Sequence, residues 1–474
     1  MAVLAIDQGT TSTRGLLIQN SGAITLVNAL EHRQFYPKPG WVEHDPEELI
    51  QNIQHCIERC DELSAIGIDN QGESCLAWNR ETKQAITPVI VWQDNRTQAV
   101  IDKLKSENAQ VLVLEKAGLP LDAYFSATKL GWIIKNVPEA GDLLRQGKLG
   151  LGTTDAFFLD RLCGRFVTDI STASRTSLMN LDNGRWDKEL CDLFDVPIEA
   201  LPEIVPTTGD FGVISSRGQP VPVTASVVDQ QAALYGHGCT MPGDAKITFG
   251  TGAFVLAITG DTPCQSAEKG LLPTVAWQLE GEKPVYALDG GVFSAGSAIN
   301  WARSLGLFTS YDQIQRFANK KSAIERDLAF VPALSGLGCP YWDRKAGGIW
   351  IGLSLNTGAM DLMQSILEGI AFRATEVIAA MNELVPITDE ITIDGGLSAN
   401  PYFCQFLADV LNLQVVVQSS AELTALGTAR LAAGKSFECR LEESLTRRYS
   451  PEVDRREYME KFRDAVKRSG QWRA

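Results

Sequence analysis

Histidine is scarce in this chain: His32, His44, His55 and His237 are the only four among 474 residues. A histidine-built metal centre or a Ser-His-Asp relay therefore has little to draw on. No two of the ten cysteines stand in Cys-x-x-Cys spacing. A chain this long does not need disulfide staples, so reduced thiols are expected. Cys56 and Cys60 fall one helical turn apart with His55 beside them, and packing on a helix face is favoured over a metal site. Positive charge is also short, with 43 Lys and Arg against 58 Asp and Glu and a net charge of −15. That leaves no basic field to recruit nucleic acid or an anionic membrane. No uninterrupted apolar run approaches a membrane span, and the N-terminus opens on a strand pattern rather than a signal peptide. A soluble cytoplasmic protein is expected. The Gly-x-x-x-x-Gly-Lys phosphate loop is absent as well.

What is present begins at once. Val3–Ile6 and Gly15–Ile18 are apolar runs flanking Asp7-Gln8-Gly9-Thr10-Thr11-Ser12-Thr13-Arg14. This predicts a strand, a tight turn and a second strand. Such a turn aims backbone N–H groups and hydroxyls at phosphate oxygens, and Asp7 at the strand end can hold Mg²⁺ through water. Taken alone, the octet is equally an ordinary glycine turn. Further strands are predicted at 65–68, ending near Asp69–Glu73, and at 88–92, ending at Trp92. A helix starts at Pro46 with Asp45 as its N-cap, and another runs from Thr154 to about Gly164. The second half repeats the scheme. A strand at 223–228 runs into a helix at Asp229, and a strand at 246–249 runs into Gly250-Thr251-Gly252. A long helix spans about 361–383, and a strand at 391–393 ends at Asp394-Gly395-Gly396. Length allows two to three domains. The Gly-, Ser- and Pro-rich stretch 207–222 marks the expected boundary, giving domains 1–222 and 223–474.

Two Gly-Thr turns facing each other across a cleft would cradle a polyphosphate. Phosphoryl transfer needs little more than positioning, charge neutralisation and one base. Asp229 is the candidate base: it is both a helix N-cap candidate and a carboxylate held ionised at a helix N-terminus. Gln230 beside it offers a donor and an acceptor to a polyol. Glu73 and Trp92 suit hydroxyls and a carbon backbone, while a surface Glu and a core Trp are equally open readings.

The chain resembles the FGGY carbohydrate kinases, within the actin-like (ribonuclease H-like) ATPase fold. One signature matches residues 124–136, from Tyr124 to Asn136; a second matches Gly348–Leu353 with Asp361, Leu362 and Ser365–Glu368. Segments 90–94, 174–176, 186–191, 229–234 and 330–338 are similar to the glycerol-kinase branch. The resemblance implies two α/β domains, ATP and Mg²⁺, a small polyol or sugar substrate, and a homodimer or homotetramer. It assigns Thr10, Thr11, Ser12 and Arg14 to the first phosphate loop and Thr251 to the second. Gly296, Gly396 and Asn400 match nucleotide contacts. Asp229 matches the catalytic base, and Glu73, Trp92, Tyr124, Gln230 and Phe254 match the polyol pocket.

Three departures stand out. Where glycerol kinases usually read Asn-Gln-Arg-Glu-Thr, this chain has Asn70-Gln71-Gly72-Glu73-Ser74. Losing that substrate-contacting Arg removes a fork of donors and leaves space, which puts glycerol in doubt and favours a longer or differently oriented polyol, or a ketose; a kinase for a tetritol, a pentitol or a pentulose is the rival within the enzyme class. Water filling the gap, with glycerol still bound, is the alternative. Asn300 stands where the family often has Gln near the nucleotide. The segment 215–220 lacks the Gly-rich, Thr-Arg pattern that binds fructose 1,6-bisphosphate in many relatives, so no inhibition by that compound is expected. A non-catalytic ATP-binding sugar sensor on the same fold is the reading from another functional class.

Overall fold

The computed structural model describes residues 2–264, 269–317, 321–418, 420, 422–434 and 446–473; Cys439 lies outside them. Six strands form the first sheet, in the spatial order Val213–Ser216, Gln219–Val228, Ala65–Asn70, Ala2–Gln8, Ser12–Gln19, Ile24–Glu31. Seven form the second, in the order Leu272–Gln278, Pro284–Val292, Ala253–Gly260, Ala245–Phe249, Glu390–Gly395, Gln414–Val417, Arg447–Tyr449. The two sheets share a plan. A first strand pairs antiparallel with the next, across a Gly-Thr turn, and parallel with a later strand that ends in an acidic residue's loop. This is the duplicated α/β, actin-like architecture that the resemblance implies.

Most expected elements form, although the strand expected at 88–92 is confined to Val89–Ile90, and Val228 rather than Asp229 is the N-cap of the helix Asp229–Gly236. Asp45 accepts from the Glu47 N–H and caps the Pro46–Glu58 helix. Cys56 is buried on that helix and Cys60 just beyond its end, while His55 is exposed, so the trio packs rather than ligates. A Cβ at Gly15 would lie 2.8 Å from Cys56 Cβ, showing how closely the helix sits on the sheet. Cys56, Cys60, Cys75, Cys163, Cys191, Cys239, Cys339 and Cys404 are free thiols. No helix among the described residues is long and apolar enough to cross a membrane. A four-stranded satellite sheet, built from Glu43–His44, Val89–Ile90, Cys75–Asn79 and Leu149–Thr153, carries the helix Ser126–Asn136 and its own core.

Two features depart from the linear reading. The break placed at 222 falls inside the Gln219–Val228 strand, which pairs with Ala65–Asn70 in the first sheet. The Gly-Gln-Pro signal at 218–220 makes a hairpin with Val213–Ser216, not a domain junction. Arg217 at its tip is tied to the Glu58 carbonyl and to Asp61. The second feature is the helix Leu423–Ala433, which returns from the second half to cover the first sheet. It packs Leu423, Leu426, Ala429 and Leu431 with Val3, Ala5, Leu16 and Ile18.

Candidate active site

The first turn is closed by Gly9 N–H donating to the Ser12 carbonyl at 3.0 Å. The Thr10 carbonyl accepts from His32 Nε2 at 2.9 Å, and Thr10 Oγ1 accepts from Trp92 Nε1 at 3.1 Å. The loop and the indole are therefore one unit. Arg14 is paired with Glu422 at 2.5 Å and stands 4.0 Å from Asp7. Asp7 lies beside Asp69 on the parallel neighbouring strand. Burial raises the Asp7 carboxyl, with Arg14 opposing. Burial, then the Asp7 charge, raises Asp69 well above the usual carboxylate range. Asp69 Oδ2 accepts from Thr428 Oγ1 at 2.7 Å, whereas its buried Oδ1 has no protein partner. Among the described residues no group of three or more His, Cys, Asp or Glu gathers as a ligand cluster.

Asp229 opens the helix Asp229–Gly236 at the end of the last strand of the first sheet. Its Oδ1 accepts from the Gln230 N–H at 2.6 Å. Burial, then the charges of Glu73 and Asp7, pushes its carboxyl up to about 7, while the Gln230 N–H and Lys246 pull the other way. A carboxylate with that pKa is matched to taking a proton near neutrality.

Glu73 is buried against Arg175, whose Nε donates to it at 2.7 Å. Arg175 Nη2 reaches Asp289 Oδ2 in the second sheet at 3.1 Å, so one guanidinium joins the two halves. Tyr124 meets Trp92 edge to face at 5.5 Å between ring centres. Lys129 holds that aromatic corner by donating to the Ala123 and Tyr124 carbonyls at 3.0 and 2.6 Å. Gly72 precedes Glu73 with φ at +78°, and a Cβ there would lie 3.2 Å from Val228 Cγ1, next to Asp229. Phe254 sits half-buried in the second sheet, between Thr248 and Gly291 on the flanking strands.

The second turn docks on a helix start. Gly296 N–H donates to the Gly250 carbonyl at 2.9 Å, and the Ala295 and Ser297 N–H groups donate to Thr251 O at 3.0 Å each. A Cβ at Gly296 would lie 2.5 Å from Gly250 O, so only glycine allows that approach. A cavity of about 540 Å³ opens here, lined among others by Thr251, Gly296, Asn300, Gly396 and Asn400. Asn400 is partly committed to the scaffold: it caps the helix Pro401–Leu411 and donates to the Ile314 carbonyl. The residues expected around a nucleoside thus share one cavity. Those of the first turn lie on the other sheet and are not among its lining.

This duplicated cleft is matched by two family models. The N-terminal domain of the FGGY family of carbohydrate kinases covers residues 2–236, and the C-terminal domain of that family covers 245–435. The chain belongs to the FGGY family of carbohydrate kinases. A protein named glycerol kinase from Alkalilimnicola ehrlichii is 40% identical over 491 residues, covering 99% of each chain. The crystal structure of Plasmodium falciparum glycerol kinase with ADP superposes with a TM-score of 0.91 at 30% identity, over 99% of this chain and 98% of that one. A xylulose kinase from Lactobacillus acidophilus shares the fold, with a TM-score of 0.83 at 22% identity over 99% and 96% of the two chains. As an FGGY kinase the chain is a phosphotransferase acting on an alcohol group.

The structure adds to the candidate site charges to which the sequence analysis gave no role: Asp69, Arg175 (within the matched segment 174–176), Lys246 and Asp289. Each is an isolated charge whose partner is remote in sequence. The one signal for Lys246 was a lysine inside an apolar strand.

Proposed function

We propose that this kinase transfers the γ-phosphoryl of ATP to a hydroxyl of a tetritol, a pentitol or a pentulose, in preference to glycerol. The observation that carries the substrate class is Gly72: the position next to the acceptor carboxylates bears no side chain. A larger acceptor fills the space that an arginine would take, and a pocket built on hydroxyl hydrogen bonds discriminates strongly on such a change.

In this reading Thr10, Thr11, Ser12 and Arg14 hold the phosphates with Thr251. Gly296, Asn300, Gly396 and Asn400 hold the nucleoside. Glu73, Trp92, Tyr124, Gln230 and Phe254 hold the acceptor, and Asp229 takes the proton of the attacking hydroxyl. The acid pair Asp7 and Asp69, with the orphaned Asp69 Oδ1, fits Mg²⁺, which favours one or two carboxylates plus phosphate and water. When bound, Mg²⁺ neutralises charge on the phosphate oxygens. Closure of the two halves excludes water and limits idle ATP hydrolysis.

The test is ADP release with Mg-ATP across glycerol, a tetritol, a pentitol, a pentulose and dihydroxyacetone. The expected result is a higher kcat/KM for one of the longer acceptors. A clear preference for glycerol would overturn the substrate class and leave the enzyme class standing.

A further inference from the structure

Lys246 is fully buried, and lysine is almost never so without a task for its charge. It lies on the strand Ala245–Phe249, whose Ile247 and Phe249 face the hydrophobic core. Alternation sends Lys246 and Thr248 to the opposite face. There the ammonium donates to Gln230 Oε1 at 2.6 Å and to Thr248 Oγ1 at 2.8 Å. Asp229, Asp289 and Asp394 surround it closely enough to oppose the effect of its burial. Gln230 follows the first sheet, so this contact ties the second sheet to the helix that carries the base.

An ammonium only donates. The Gln230 atom facing it must therefore be the amide oxygen, and the amide NH₂ must point away from Lys246. A substrate hydroxyl next to Gln230 can then only accept from the amide. That hydroxyl's own proton is left for a carboxylate, and Asp229 is the adjacent one. Lys246 is also four residues before Gly250, on the strand that leads into the second turn.

Resting on the reading that Gln230 contacts the acceptor, we infer that Lys246 is a positioning residue for acceptor recognition. It fixes the orientation of the Gln230 amide, so that Gln230 donates to the reacting hydroxyl while Asp229 receives its proton. Because Lys246 belongs to the strand of the second turn, the acceptor is held in line only when that strand is seated against the base-bearing helix.

The test is steady-state kinetics on the full chain, using the best acceptor among glycerol, a tetritol, a pentitol and a pentulose, with ADP affinity measured by calorimetry. Four variants are compared: Gln230→Leu, Gln230→Glu, Lys246→Met and the Gln230→Leu/Lys246→Met double. Gln230→Glu leaves the buried lysine a partner while removing the amide donors, so it is informative even if Lys246→Met does not fold. The expected result is a rise in acceptor KM of about 10- to 100-fold in every variant, the effect of leaving one buried hydroxyl without its hydrogen-bond partner. The double should be no worse than Gln230→Leu, and ADP affinity should be retained. Unchanged acceptor KM in both Gln230 variants would remove Gln230 from the pocket, and this inference with it. If the Gln230 variants lose affinity while Lys246→Met keeps it, or if the two losses simply add, the role of Lys246 alone is overturned.

Discussion

At the scale of single residues, the chemistry turns on a crowd of carboxylates in one cleft. In the proposed mechanism Asp229 must lose its proton to act as a base, and its carboxyl is pushed up to about 7 by burial and by Glu73 and Asp7. Acceptor kcat/KM should therefore rise as pH increases through about 7 and level off above it. A pH–rate profile that is flat from 5 to 8 would contradict this assignment. Glu73→Gln removes one of the repelling charges, so its rising limb should shift to lower pH even as acceptor binding weakens. Asp229→Asn should lower kcat by at least 10²–10⁴-fold, the usual contribution of a general base, with ADP affinity retained in calorimetry. Gly72 carries a different message. Its φ of +78° is one that L-residues adopt at a cost of about 1–2 kcal/mol. Gly72→Arg should lower the urea midpoint accordingly, so this substitution tests stability along with specificity.

At the scale of elements, two helices from distant parts of the chain meet backbone to backbone. A Cβ at Gly427 would lie 1.8 Å from the Ala232 carbonyl oxygen, and one at Gly236 would lie 1.9 Å from the Leu423 oxygen. Gly427→Val should destabilise by roughly 3 kcal/mol, visible in the denaturation midpoint, because neither backbone can retreat from a packed sheet. The same contact explains what the sequence did and did not disclose. Turn chemistry is local, so the Asp7–Arg14 and Gly250–Gly252 turns, the Asp45 cap and the strand-to-helix switch at Asp229 were legible. Apolar periodicity says that a helix has a buried face but not which sheet it covers, so the return of Leu423–Ala433 was not. Proline and glycine at 218–222 mark a reversal, and a hairpin within a domain satisfies that signal as well as a junction between domains. The partners of Arg175 and Lys246 are chosen by the fold, and no spacing rule reaches across it.

At the scale of the whole molecule, Arg175 is the clamp between the halves, with Glu73 on one side and Asp289 on the other. Arg175→Met would strand two buried carboxylates. It should cost about 3–5 kcal/mol in thermal or urea unfolding, and adding Asp289→Asn should recover part of the loss. A full loss unrelieved by the second change would mean that packing, not charge, dominates there. The Leu423–Ala433 helix has a further consequence, which concerns how the protein is made. The strands holding Val3, Ala5, Leu16 and Ile18 are translated first, yet the face they present is covered by residues 423–433. On the ribosome the first half therefore waits, with one apolar face bare, while the whole second half is synthesised. The order in which the halves are born is not the order in which they can be finished, and the nascent chain is the stage at which this enzyme most needs a chaperone.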